Sequence, residues 1–284
     1  MHSPERHDFS ELPPETPPES SSEPPTSPEN GPWVLAATIL ASSMAFIDST
    51  VVNIALPSMQ KEFGVGLEKI QWVIETYSLL LSALILLGGS LGDRFGRRRI
   101  FVIGTLSFAA ASVLCAAAPD LLTLNVARAL QGVGAALLVP SSLAVISASF
   151  PPAQRGAASG TWTAFSAVTT ALGPPLGGLV IEHTSWRWIF VINAPLALLV
   201  WWITRAKVKE SFGKTGDRID LWGAFFVTLA LGGVIYGLIA WGEGRSGAPV
   251  WGTIALGLVL LVVFLAIEAR SRNAMLPLRF FRNR

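Results

Sequence analysis

Of the 284 residues in this chain, 51% are hydrophobic and only 14% charged, and the mean hydropathy is +0.52. Those proportions exclude an ordinary soluble globular domain and describe a membrane protein. A net charge of +2 calls for no nucleic-acid partner, and a lone cysteine excludes an internal disulfide.

Residues 1–32 hold nine prolines and seven carboxylates without apolar periodicity, which predicts a disordered acidic, Pro-rich tail. The tail is not a signal peptide, because its start is acidic and the apolar run after it is long and contains Asp48. A bilayer core about 30 Å thick needs about 20 mostly apolar residues per helix. Eight runs qualify: 33–55, 70–91, 100–118, 121–146, 158–181, 188–204, 221–241 and 250–268. Lipid cannot satisfy open strand edges, and the runs are too continuous for alternating barrel strands, so the expected fold class is an all-α polytopic membrane protein.

Charge sidedness sets the expected orientation. Loops after even-numbered spans carry fifteen Lys and Arg residues, whereas the opposite loops carry only Lys61, Lys69, Arg187 and Arg245. The positive-inside rule then places both termini in the cytoplasm.

Three ionisable residues fall inside apolar spans: Asp48 in the first, Glu75 in the second and Arg128 in the fourth. Each costs roughly 2.5–3.5 kcal/mol on insertion scales and so needs a partner or a purpose. Burial favours a protonated carboxyl and a nearby guanidinium an ionised one, so moving one helix against another would load and unload a proton. Asp48, Arg128 and Glu75 are therefore the candidate proton-coupling residues. The competing reading is a static Asp–Arg pair stapling the first span to the fourth, with Glu75 reaching out to the membrane surface.

Small polar residues recur at helical spacing. The fifth span carries Ser159, Thr163, Ser166, Thr170, Gly173 and Gly177, the fourth Asn125, Arg128, Gln131 and Gly132, and the second Glu75, Ser78, Ser82 and Gly89. Such stripes either line a hydrated cavity or let helices pack closely in lipid. Asn53, Gln131, Ser166 and Thr170 are the expected cavity-lining residues. Gly173-Pro174-Pro175-Leu176-Gly177-Gly178 places two prolines and three glycines inside an apolar helix, where lost backbone hydrogen bonds favour a bend.

Between the second and third spans lies Gly89-Ser90-Leu91-Gly92-Asp93-Arg94-Phe95-Gly96-Arg97. Gly89, Asp93, Arg94, Gly96 and Arg97 are the candidate gating-loop residues, with Asp93 and the arginines able to form a charge relay. Cys115 reads as a small core residue. His2, His7 and His183 lie in the tail and one loop, so no zinc site, triad or other enzymatic constellation is expected.

The 89–98 pattern resembles the loop between helices 2 and 3 of the major facilitator superfamily. Ile47-Asp48-Ser49-Thr50-Val51-Val52-Asn53-Ile54-Ala55-Leu56-Pro57 resembles the helix-1 element of the fourteen-helix drug:proton antiporters of the EmrB/QacA type. Leu124 to Gly134 is similar to the superfamily's helix-4 element, whose arginine is linked to proton transfer. Gly173 to Gly178 resembles the antiporter element of helix 5, with Thr169 where that element has its first glycine. Trp186 to Pro195 and Asp220-Leu221-Trp222-Gly223 are also family-like.

The resemblance covers about residues 33–284 and implies an N-terminal six-helix bundle at 33–204, a cytoplasmic loop at 205–220 and two additional transmembrane helices within 221–268. A basic cytoplasmic end, 269–284, would lead toward a second bundle that the sequence does not reach. Implied with it are proton-driven export of an amphipathic or cationic small molecule across the plasma membrane, no cofactor, and closure of the Asp93 loop against the second bundle; that bundle or another copy of the chain is the expected protein partner. A non-transporting membrane scaffold or half of a split transporter is the alternative.

Overall fold

A computed structural model describes residues 30–213, 221–242 and 244–270, with the side chains of 221–225 and 267–270 left aside. The predicted tail up to residue 29, residues 214–220 of the predicted loop and the basic end from residue 271 fall outside the described residues.

Nine helices are described: α1 (Gly31–Phe63), α2 (Leu67–Phe95), α3 (Arg97–Ala117), α4 (Leu121–Ser149), α5 (Pro152–His183), α6 (Trp188–Val191), α7 (Asn193–Lys207), α8 (Leu221–Gly242) and α9 (Ala248–Arg270). Each predicted span coincides with a helix, except that the sixth is split at Ile192 into α6 and α7. Pro195 accounts for the break, because it has no N–H to donate to the carbonyl of Val191 four residues earlier. Several helices outrun the bilayer core: α5 has 32 residues and α1 has 33.

The ends are set by local chemistry. Gly64 takes a left-handed φ of 63° and its N–H returns to the Gln60 carbonyl at 3.0 Å, closing α1. Asp120 caps α4 by accepting from the Thr123 N–H at 2.8 Å. α5 runs unbroken through Pro174 and Pro175.

α4 packs along α2 and α3, and α1 lies against α5, α4 and α7. Close approach is built into α4: a Cβ at Gly132 would sit 2.6 Å from the Tyr77 carbonyl oxygen of α2, and one at Gly134 would sit 2.6 Å from the Phe108 nitrogen of α3. α8 and α9 pack chiefly on each other, and α8 also lies against α2, where Trp72 meets Tyr236 with ring centroids 6.0 Å apart.

Two apolar cores divide the bundle along its axis. One, at the end carrying the α2–α3 hinge, gathers Val34, Met44, Tyr77, Phe101, Phe108 and Leu138. The other, at the opposite end, gathers Val52, Met59, Ile70, Val73, Leu124 and Phe190. Asp48 and Arg128 fall at the junction, each between residues of both cores on its own helix.

Candidate functional site

Arg128 is fully buried and Asp48 is 2% exposed. An Arg128 Nη1 hydrogen bond to Asp48 Oδ2 spans 2.5 Å. The same nitrogen donates to Gln131 Oε1 at 2.6 Å, and Nε donates to the Val73 carbonyl at 2.8 Å. Gln131 Nε2 closes the ring by donating to Asp48 Oδ1 at 2.9 Å. Both carboxylate oxygens are thus engaged, and three helices contribute. The guanidinium also lies over the Tyr77 ring, 4.2 Å from its centroid, which adds cation–π attraction in a water-poor setting. Arg128 Nη2 has no hydrogen-bond partner among the described residues.

Sequence reasoning assigned no role to three residues that the structure adds. Ser112 Oγ of α3 accepts from Gln131 Nε2 at 2.8 Å and from Asn193 Nδ2 of α7 at 3.2 Å. The chain of polar contacts therefore runs from α1 through α4 and α3 to α7 inside the bundle. Tyr77 is the third residue, supplying the ring beneath the guanidinium. Asn193 did carry a signal, as a lone amide within an apolar segment. Ser112 carried none, since a single serine within an apolar helix is an ordinary residue there.

A buried ion pair gains little net stability when desolvation is charged against attraction, whereas removing one partner leaves a costly unpaired charge. The arrangement is therefore weak evidence for a purely stabilising role. Chemically, it is a carboxylate paired with a guanidinium held on another helix.

The remaining candidates lie elsewhere. Glu75 is half-buried on α2, roughly 200° around the helix from Val73, on the side of α2 away from Arg128. Gln131 was expected to line a cavity but is fully buried, because its amide completes the Asp48–Arg128 ring. Ser166 is 9% exposed and donates to the Trp162 carbonyl, while half-buried Thr170 donates to that of Ser166, so both hydroxyls are bonded to their own helix. Asn53 is exposed and bonds back to Ser49 at 3.1 Å.

Gly173 and Gly177 face α1, where a Cβ would collide with Thr50 and Val51 respectively. On that part of α5 the glycines serve helix packing. Gly178 borders open space, Pro174 is half-buried, and Gly89 approaches Pro140 of α4, with 3.7 Å between a Cβ there and the proline Cβ. An apolar groove of about 720 Å³ lies between α1, α5 and the α6–α7 segment; Asn193 borders it, while Asn53, Gln131, Ser166 and Thr170 do not.

At the hinge, Gly96 ends α2 and begins α3 with φ +105°. Asp93 Oδ1 accepts from Arg97 Nε at 2.8 Å, and Arg94 lies 5.5 Å from the centroid of the Phe95 ring. At the far end, Arg187 Nη1 reaches both Glu62 oxygens, at 2.6 and 2.8 Å, and Trp186 Nε1 donates to Glu62 Oε2 at 2.7 Å.

Apolar helices of membrane-spanning length, closed around a buried Asp–Arg pair, describe a polytopic membrane protein. The sequence profile of the Major Facilitator Superfamily matches residues 38–281, and the chain belongs to that superfamily. Multidrug resistance protein Stp of Mycobacterium tuberculosis (strain CDC 1551 / Oshkosh) is 39% identical over 255 residues, covering 88% of this chain and 47% of Stp. Puromycin resistance protein pur8 of Streptomyces alboniger is 42% identical over 252 residues, covering 86% of this chain and 49% of pur8. The chain thus spans about half the length of these curated relatives. Among solved structures, the peptide transporter POT in complex with sulfate superposes with a TM-score of 0.62 at 17% identity, covering 86% of this chain and 53% of that one, which is a likeness of fold.

Proposed function

We propose that this chain is the N-terminal part of a proton-driven drug exporter of the fourteen-helix antiporter type, working in the plasma membrane with both termini cytoplasmic. The observation that carries the reading is the buried Asp48–Arg128–Gln131 ring in a bundle whose relatives bear multidrug and puromycin resistance names. In this reading Asp48 carries the proton. When helix movement draws Arg128 away, the buried carboxylate loses its cation and takes up a proton; when the guanidinium returns, the proton leaves. Transporter sites of this architecture sit between two bundles that rock about them, so a second bundle is the required partner and the substrate is a small amphipathic or cationic molecule. Glu75 is a secondary candidate for coupling.

The test uses proteoliposomes holding this chain joined to a second six-helix bundle, an imposed pH gradient and a cationic dye, with the 284 residues alone as control. Saturable dye movement abolished by Asp48→Asn is expected. Full movement in Asp48→Asn would overturn the coupling assignment.

A further inference from the structure

The segment that follows α7 does not leave the bundle. Residues 208–213 cross the α2–α3 hinge and are pinned by two backbone hydrogen bonds: Arg97 N–H to the Ser211 carbonyl and Gly213 N–H to the Asp93 carbonyl, both 2.8 Å. Val208, buried at 4%, anchors the segment in the hinge-end core.

Between those fixed points stands Glu210. Its Oε1 accepts from the Arg98 N–H at 3.0 Å and its Oε2 from the Arg99 N–H at 3.2 Å. Those amides belong to the first turn of α3, where no carbonyl of the helix itself can reach them. The cap position is Gly96, which has no side chain to serve them. Glu210 performs that task from 112 positions away along the chain. A carboxylate is the apt group, since the amino end of a helix carries partial positive charge and Arg97, Arg98 and Arg99 add more. Gly96 is shaped to it: any Cβ there would lie 2.7 Å from the Glu210 carboxyl carbon, in addition to the strain of φ +105°. Arg98 adds a further tie, its Nη2 donating to the Arg205 carbonyl at 3.3 Å.

We propose that residues 208–213 form a clasp, and that Glu210 is the positioning residue that fixes the α2–α3 hinge and thereby the direction in which the Asp93–Arg97 pair is presented. The clasp couples the end of α7 to the hinge, reaching the Asp93 carbonyl through Gly213. The clasp itself stands on the hydrogen bonds alone; its part in gating rests on the exporter reading above.

Two measurements on separate readouts test it. Hydrogen exchange of the full chain in detergent, followed in peptides covering 97–100, is expected to be roughly ten-fold or more faster in Glu210→Ala, since a charge-assisted bond to otherwise orphaned amides is lost. Glu210→Gln, which keeps an acceptor, should recover part of the protection, and peptides of α4 around Arg128 should be unchanged. Gly213→Ala, whose Cβ would meet the Asp93 Cβ at 2.7 Å, should loosen the same peptides independently. Unchanged exchange at 97–100 in Glu210→Ala, or acceleration spread equally over α4, would overturn the clasp.

The second measurement is the proteoliposome assay with the second bundle present. Glu210→Ala should slow dye movement several-fold at unchanged dye affinity, with partial rescue by Glu210→Gln. Faster exchange with unaltered movement would leave the clasp and overturn its gating role. Absent movement in the parent protein would defeat the exporter reading, with the exchange result still deciding the clasp.

Discussion

Arg128 and Asp48, 80 positions apart, meet at 2.5 Å where the two apolar cores join. The pair places buried charge at the middle of the bundle, between the two apolar cores. α1 and α4 are therefore held at one depth relative to each other, because sliding either helix would push a charge into hydrocarbon.

Truncating either partner should be strongly destabilising, and truncating both much less so. Asp48→Leu and Arg128→Leu each strand a buried charge, at a cost of about 3–5 kcal/mol, while the double variant leaves none. A double-mutant cycle from thermal unfolding in a mild detergent measures this. Strictly additive losses would show that the two side chains do not depend on each other.

Ser112 is the joint between the charge pair and α7. Ser112→Ala removes the acceptor shared by Gln131 and Asn193, leaving buried donors at a cost of about 1–3 kcal/mol. Asn193→Leu should lose less after Ser112→Ala than in the parent protein, because its partner is already gone. Equal losses in both backgrounds would mean that the Asn193 contact contributes nothing.

How much of this was legible in the sequence follows from what each feature depends on. The spans were readable because membrane helices declare themselves by uninterrupted apolar length, and the Asp48 and Arg128 positions because charges in such runs are rare. The break at Ile192 was readable too, had Pro195 been weighed as a missing donor. Gln131 shows the limit of helical spacing: a stripe gives the angle of a residue around its helix but not how deeply the neighbours bury it. Gly173 and Gly177 share the Ser166 stripe, yet they meet α1. The Glu210 clasp was invisible, because it depends on backbone amides exposed at a helix start and on a carboxylate distant in sequence, and no periodicity links the two.

Labelling tests the orientation. On a Cys115→Ala background, the charge asymmetry predicts that a cysteine replacing Ser246, in the turn between α8 and α9, reacts with an impermeant maleimide from outside intact cells. One replacing Lys214 should react only after permeabilisation. The opposite pattern would invert the membrane topology and put the hinge arginines outside.

The α4 cap supplies a pH dependence with a definite sign. The Thr123 backbone amide, then its hydroxyl, holds the Asp120 carboxyl below its ordinary range, and both bonds favour the ionised form. A folded value below the unfolded one means that the cap stabilises fully above the unfolded value and is lost as pH falls through the folded one. Protection of the first-turn amides of α4 should therefore persist at neutral pH and fade only below the ordinary aspartate value of about 3.9. Asn caps helices about as well as Asp without titrating, so Asp120→Asn should keep that protection through the same acid range. Hydrogen exchange corrected for its intrinsic pH dependence, in peptides spanning 121–125, makes the comparison; identical acid loosening in Asp120→Asn would assign the effect to some other group.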